Sequence, residues 1–114
     1  MISVALVIEV SPGKSEDAMN VIMPTLGWTR VEPGCLSCDV YRSARNESLL
    51  VLSERWDTME HLERHIQSDN YRDVLAWIDM SDTQPEIHFD VVSQSVGLEL
   101  IEQVRGKERM DAVL

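Results

Sequence analysis

The sequence has few basic residues and no long apolar segment. Lysine and arginine supply 10 of its 114 residues against 20 aspartates and glutamates, so the formal net charge is -10. A surface of that sign repels phosphate groups, which disfavours nucleic acid and anionic membranes as partners. No apolar run approaches the roughly 18 residues of a membrane span. The opening segment MISVALVIEV has neither a basic leader nor a small-residue cleavage site. These features predict a cytoplasmic protein without a membrane partner.

Cysteine is also scarce, and both copies lie in the motif Cys35-Leu36-Ser37-Cys38. Such spacing occurs in zinc half-sites and in redox pairs. A zinc site needs about four ligands, and the chain has no second motif of this kind and no suitably spaced histidine pair. In a regular strand, residues three apart point to opposite faces with Cα atoms about 10 Å apart, too far for a disulfide. We therefore expect two free thiols and no metal.

Hydrophobic spacing predicts one α+β domain with the element order β-α-β-β-α-β. Strands are expected near residues 2–10, 35–43, 48–56 and 86–95. The first helix is indicated by Ala18, Val21, Ile22 and Thr25, which follow helical spacing. Pro24 is expected to kink this helix or to divide its last turn. Two further helical stretches follow the third strand. The first is expected to bury Met59, Leu62 and Ile66, and the second, residues 69–80, carries Tyr71, Val74, Leu75 and Ile78 at helical spacing.

This order is that of the ferredoxin-like fold, a four-stranded antiparallel sheet with helices on one face. The other sheet face would carry Ala5, Val7 and either Val92 or Tyr41, which are too apolar to suit water. We therefore expect a second copy to cover it as a homodimer. The domain is predicted to span residues 1–96, followed in 97–114 by a short helix and a mobile tail.

The segments EPGCLSCDVYR and LLVLSERWDTMEHLERHIQSDNYRDVL resemble the antibiotic biosynthesis monooxygenase family. The matching positions are Glu32, Pro33, Gly34, Cys35, Cys38, Tyr41, Glu54, Trp56, His65, Ser68 and Tyr71. At Cys38 the sequence departs from the family, where an aromatic residue is usual. The resemblance extends from residue 3 to about residue 93. It implies a dimeric α+β barrel, in which two ferredoxin-like protomers pair.

The resemblance also implies an activity. Family members that act as monooxygenases need neither metal nor flavin, because a deprotonated quinol or phenol gives an electron to O2 directly. The expected partners are thus an aromatic small molecule and O2, with no cofactor. The protein must supply a base, hydrogen-bond donors for the anion, and a site closed to water.

His65, Trp56 and Glu54 are the candidate catalytic residues. The ordinary pKa of histidine, near about 6.5, suits proton abstraction at neutral pH, but His65 can equally be a boundary residue bonded to backbone. Trp56 either walls an aromatic pocket or plugs the core, and Tyr71 has the same two interpretations. Glu54 is a second base if it faces inward, where burial would favour its protonated form.

Tyr71, Arg42, Tyr41 and Ser68 are the candidate substrate-binding residues. Arg42, on a strand next to that of Arg55, can steady a phenolate, although a solvated or ion-paired arginine is the simpler interpretation. Tyr41 and Ser68 enter as positions that match the family pattern.

Two alternatives to the oxygenase remain open. One is a non-catalytic dimer that binds a small molecule, and the other is an isomerase of a small carbonyl compound. The chain also resembles a haem-degrading branch, which has an axial histidine, an aromatic residue and an asparagine. These positions align with Leu75, His65 and Leu6. Because the iron ligand and the asparagine are both replaced, the sequence disfavours haem degradation.

Overall fold

The computed structural model describes residues 1–106. Its elements are β1 (Ile2–Glu9), α1 (Ser15–Arg30), β2 (Cys35–Arg42), β3 (Leu49–Trp56), α2 (Met59–Gln67), α3 (Tyr71–Asp79), β4 (Glu86–Val91) and α4 (Glu99–Arg105). The predicted order of strands and helices is confirmed, and the fold is ferredoxin-like α+β. Within this part of the chain, no helix is both long enough and apolar enough to cross a membrane. The expected mobile tail falls mostly on residues 107–114, outside the described residues.

The sheet has the order β2-β3-β1-β4, and each neighbouring pair is antiparallel. Alternate residues of a strand point to opposite faces, and β1 shows this as a strict alternation of buried and half-buried residues. The register places Ile2 opposite Trp56 and Val4 opposite Glu54. Even-numbered residues of β1 and β3 therefore face the helices together, and they form the centre of the core.

Helix α1 contacts β2 and runs without interruption from Ser15 to Arg30. Of the two outcomes expected at Pro24, a kink or a divided last turn, the division is therefore wrong. The buried residues of α1 are Ala18, Ile22, Thr25, Leu26 and Thr29. Pro24 is exposed, and its ring points away from this packed face. Since a proline removes one backbone donor and not the side-chain packing around it, the buried stripe holds the helix together across that position.

Helices α2 and α3 bury different residues from those expected. Met59 and Ile66 are 41% and 38% exposed, so their predicted burial is wrong. Leu75, which stands at helical spacing in α3, is 52% exposed. Leu62 and His65 form the buried line of α2, three residues apart, and α3 adds the predicted Tyr71 and Val74 together with Trp77. In a nine-residue helix a buried line can contain only two or three side chains, and here one of them is a histidine.

A β-bulge at the start of β2 changes the direction of the cysteines. Cys35 pairs with Trp56, whereas Ser37 already pairs with Arg55, so Leu36 is an extra residue in the strand. As a result Cys35 and Cys38 both lie on the helix-facing side, and the prediction of opposite faces is wrong. Both are free thiols, as expected.

The sheet face away from the helices and the C-terminal segment lack partners within the described residues. Ala5 and Val7 are half-buried there, beside an exposed Tyr41. On the helix-facing side, β4 lies beyond the helices and leaves its apolar residues exposed, and α4 buries no residue. The α4 helix therefore adds no side chain to the core of the domain.

Candidate active site

The fold brings Glu54, Trp56 and His65 together beneath α2. Glu54 and Trp56 are two residues apart on β3, so both point towards the helices. His65 meets them from the buried line of α2. All three are at most 2% exposed. A glutamate and a histidine enclosed in an apolar core need polar partners, because an unpaired buried charge is strongly unfavourable.

Aromatic rings surround the imidazole. The Trp56 and His65 rings are stacked with centroids 4.7 Å apart and planes inclined by 27°. Tyr71 meets His65 edge-on, with centroids 5.2 Å apart. The Trp56 indole donates from Nε1 to Glu54 Oε1 at 2.9 Å, and the Cys38 thiol lies 3.9 Å from Glu54 Oε2. The Glu54 carboxylate is therefore held in place by two donors from the core.

His65 lies between two carboxylates. Its Nδ1 is 2.8 Å from Glu32 Oε2, and its Nε2 is 3.6 Å from Glu54 Oε2 but makes no hydrogen bond. Burial alone would lower the pKa of His65, but the Glu54 carboxylate and then the charge of Glu32 outweigh it, so the pKa is raised. Burial, and then Glu54, raise the pKa of Tyr71. We call Glu32, His65 and Glu54 the acid–base centre.

Glu32 is the member of this centre that reaches the surface. It lies in the loop after α1, and its side chain is 21% exposed against 0% for His65 and 2% for Glu54. Asn70 donates from Nδ2 to Thr29 Oγ1 at 2.9 Å and to Glu32 Oε2 at 3.4 Å. Gly34, with φ of +85°, supplies the left-handed turn that returns the chain from Glu32 into β2. The sequence pattern included Glu32 only as a motif position, without a role.

The main cavities lie outside the enclosed core. One, of about 550 Å³, opens between the end of α1 and the start of α3 and is lined by Trp28, Val31, Glu32, Ser68, Asp69, Asn70 and Asp73. Another, of about 450 Å³, lies along the edge of β2. Neither is lined by His65, Trp56 or Glu54. The His65 ring is covered by Trp56 and met edge-on by Tyr71, so side chains occupy the space beside it, as in the interpretation of Trp56 as a core plug.

The remaining predicted site residues are divided between two regions. Tyr71 packs in the centre, and Ser68 lines the 550 Å³ cavity while its hydroxyl donates to the His65 carbonyl at 2.6 Å. Tyr41 and Arg42 lie away from both the acid–base centre and this cavity. Tyr41 is exposed and borders the cavity at the β2 edge. Arg42 lies 3.4 Å from Glu16 near the start of α1.

Comparison with known families agrees with this arrangement of elements and motif residues. The sequence profile of the antibiotic biosynthesis monooxygenase family matches residues 1–77. The chain belongs to this family. The match contains the whole acid–base centre and ends within α3, so β4 and α4 lie outside it.

Solved structures share the fold of this chain. A crystal structure of an antibiotic biosynthesis monooxygenase has 18% sequence identity and a TM-score of 0.73, covering 82% of this chain and 100% of that one. A conserved protein from Methanosarcina mazei has 28% identity and a TM-score of 0.72, covering 78% and 89%. A protein from Mycobacterium tuberculosis has 22% identity and a TM-score of 0.75, covering 84% and 98%. No protein of curated function matches the chain.

Proposed function

We propose that this family member is a cofactor-independent monooxygenase that oxidises a quinol, an anthrone-like compound or another electron-rich polyphenol with O2. The acid–base centre carries the proposal. It places an enclosed imidazole of raised pKa between two carboxylates and beside aromatic rings, with only Glu32 partly exposed. Perturbed titratable groups of this kind are typical of sites that move protons.

The proposed reaction requires proton transfer by the protein and exclusion of water from the site. Removal of a proton from the substrate gives an anion that reduces O2. For an anthrone-type CH2 group, one oxygen atom becomes the product carbonyl, and the other leaves as water with the two substrate hydrogens. The centre accepts the first proton at a carboxylate, and the imidazole between the two carboxylates holds that group in position by hydrogen bonding.

A second function is favoured by one observation. Trp56 and Tyr71 fill the space beside His65, and the cavities open elsewhere. A non-catalytic dimer that binds a small molecule needs no open space at the imidazole. In that case the acid–base centre is part of the core and does not turn over substrate.

Oxygen uptake separates the candidates. With menadiol or anthrone as substrate, we expect enzyme-dependent O2 consumption that is lost in His65→Ala and retained in His61→Ala, a histidine outside the centre. Circular dichroism checks that both variants are folded. No turnover over a panel of phenols would contradict the oxygenase and favour the binding dimer. A rearranged carbonyl product with unchanged O2 would instead identify an isomerase.

We also propose that the protein is a homodimer. Ala5 and Val7 are central on the sheet face that the helices leave open, and the α4 segment carries apolar residues that stay exposed among residues 1–106. A second copy supplies matching apolar surface for both, since a two-fold interface uses the same patch twice. Sedimentation at micromolar concentration should show a dimer, and Val7→Asp should weaken it. A native monomer would contradict this assembly.

A further inference from the structure

We propose that the 550 Å³ cavity between the end of α1 and the start of α3 binds the substrate as an uncharged or cationic hydroxyarene, and that Glu32 takes the substrate proton. The reaction part rests on the proposed oxygenase function, whereas the binding part does not. We call this cavity the Trp28 groove. It is lined by Trp28, Val31, Glu32, Ser68, Asp69, Asn70 and Asp73.

Access decides which member of the acid–base centre meets a ligand. His65 and Glu54 are enclosed, and both ring nitrogens of His65 face carboxylates. Glu32 is half-buried, lines the Trp28 groove and lies 2.8 Å from His65 Nδ1. A proton that enters the centre from a molecule in the groove therefore passes through Glu32. This residue connects the enclosed imidazole to the surface.

The proton step can be written with its bonds balanced. The substrate O–H bond breaks, its electron pair stays on the substrate oxygen, and the proton goes to Oε1 of Glu32, since Oε2 faces His65 and Asn70. The Nδ1–H of His65 donates to Oε2 before and after this transfer and holds the carboxyl group in position. The result is a substrate anion beside a neutral Glu32 carboxyl group. Glu32 is the catalytic residue in this step, and His65 acts through it.

The lining of the groove indicates what it accepts. The Trp28 ring is 70% exposed and offers a face for stacking, next to the apolar Val31. Glu32, Asp69 and Asp73 contribute carboxylates, and no basic side chain is among the lining residues. A ligand with its own carboxylate or phosphate is therefore repelled, whereas a neutral ring with a hydroxyl group is accepted and a cationic one is favoured by cation–π contact.

Tryptophan signals test the binding part directly. Trp28 is the exposed tryptophan, whereas Trp56 and Trp77 are fully buried, so the indole N–H resonances report on the groove separately from the core. On titration with 2-naphthol we expect a saturable shift of the Trp28 resonance, assigned by its loss in Trp28→Ala. Calorimetry should show at least about tenfold weaker binding for 6-hydroxy-2-naphthoate and for Trp28→Ala. An unshifted Trp28 resonance, or equal affinity for the two probes, would overturn the assignment.

The role of Glu32 is tested with Glu32→Gln against Glu63→Gln, which makes the same charge change on the exposed side of α2. We expect Glu32→Gln still to give the saturable Trp28 shift with 2-naphthol, because its amide oxygen can accept a hydrogen bond from the hydroxyl group. It should lower kcat/KM for menadiol oxidation at least about tenfold and change its pH profile. Glu63→Gln should behave like the wild type. In the absence of turnover, bound 2-naphthol should lower the pH at which the His65 ring titrates in the wild type. Its hydroxyl group donates a hydrogen bond to Glu32, and this carboxylate then stabilises the protonated ring less. In Glu32→Gln this response should be absent, and its persistence would overturn the role.

The two proposals fail in different ways. If 2-naphthol binds at Trp28 and no polyphenol consumes O2, the oxygenase function is wrong and the groove still binds hydroxyarenes. If O2 is consumed at the same rate by Trp28→Ala and Glu32→Gln, the oxygenase function stands and the groove is not its substrate site.

Discussion

Replacement of Glu54 by glutamine tests whether the acid–base centre is ionised as the structure implies. The side chain keeps its shape, and its oxygen can still accept the Trp56 indole hydrogen bond. The change removes the charge that lies 3.6 Å from His65 Nε2. Since Glu54 and His65 are enclosed, solvent screens this pair little.

The size of the effect follows from that distance. Two unit charges 3.6 Å apart attract by about 4.6 kcal/mol at an effective dielectric of about 20. Part of this is offset because the variant no longer buries a carboxylate. We therefore expect Glu54→Gln to lower the free energy of unfolding by about 3 kcal/mol while His65 is protonated, and by less than about 1 kcal/mol once it is neutral.

The raised pKa of His65 determines how the effect of Glu54→Gln on stability changes with pH. The folded-state pKa of His65 is raised, so its stabilising contribution is complete below the unfolded value of about 6.5. That contribution is lost as the pH rises through the folded-state pKa. The loss should be smaller in Glu54→Gln, and the two stability curves should converge at high pH. Urea unfolding between pH 5.5 and 9.5, with Glu63→Gln as the control for net charge, measures this. A difference that is constant with pH, or that grows as the pH rises, would refute the ionised centre.

Three further predictions concern the core and the thiols. Trp56→Ala should cost about 3–5 kcal/mol in urea unfolding, because the ring is fully buried, and a cost below about 1 kcal/mol would mean that it is not a core plug. Gly34→Ala should destabilise the protein more than Gly13→Ala. Both glycines have positive φ, but a Cβ at Gly34 would overlap side chains at the start of α2, whereas a Cβ at Gly13 would meet open space. Thermal unfolding compares them, and equal losses would contradict the predicted overlap. Burial, and then the charge of Glu54, raise the pKa of both Cys35 and Cys38. Thiol reagents at pH 8 should therefore react slowly, with Cys35 first and with Cys38 only when the protein unfolds. Rapid labelling of both thiols would disprove this.

The strands could be predicted from the sequence because a period of two residues is a local signal. Ile2, Val4 and Leu6 alternate with smaller residues, and the structure places them on one face as expected. The bulge at Leu36 has no comparable signal. One inserted residue reverses the direction of every side chain before it, which is why Cys35 lies on the opposite face from that predicted by its spacing.

Part of the candidate site could also be predicted. Glu54 and Trp56 are two residues apart on one strand and so point to the same face, and His65 lies on the buried line of the next helix. The sequence and the family pattern together therefore indicated all three residues. Glu32 could not be assigned a role in this way, because its contact with His65 joins residues 33 positions apart and depends on the left-handed turn at Gly34. Sequence spacing does not encode such a contact.

The acid–base centre is difficult to explain as a device for stability alone. Breaking a buried ion pair is costly, but replacing all of its members by apolar side chains of similar volume is often neutral or stabilising. A core that already contains Trp56 and Tyr71 could have enclosed a third apolar group where His65 lies. The structure instead holds an imidazole between two carboxylates and brings one of these, Glu32, to the wall of a cavity beside Trp28. A purely structural centre has no need of a member at the surface, whereas proton exchange with a bound molecule requires one.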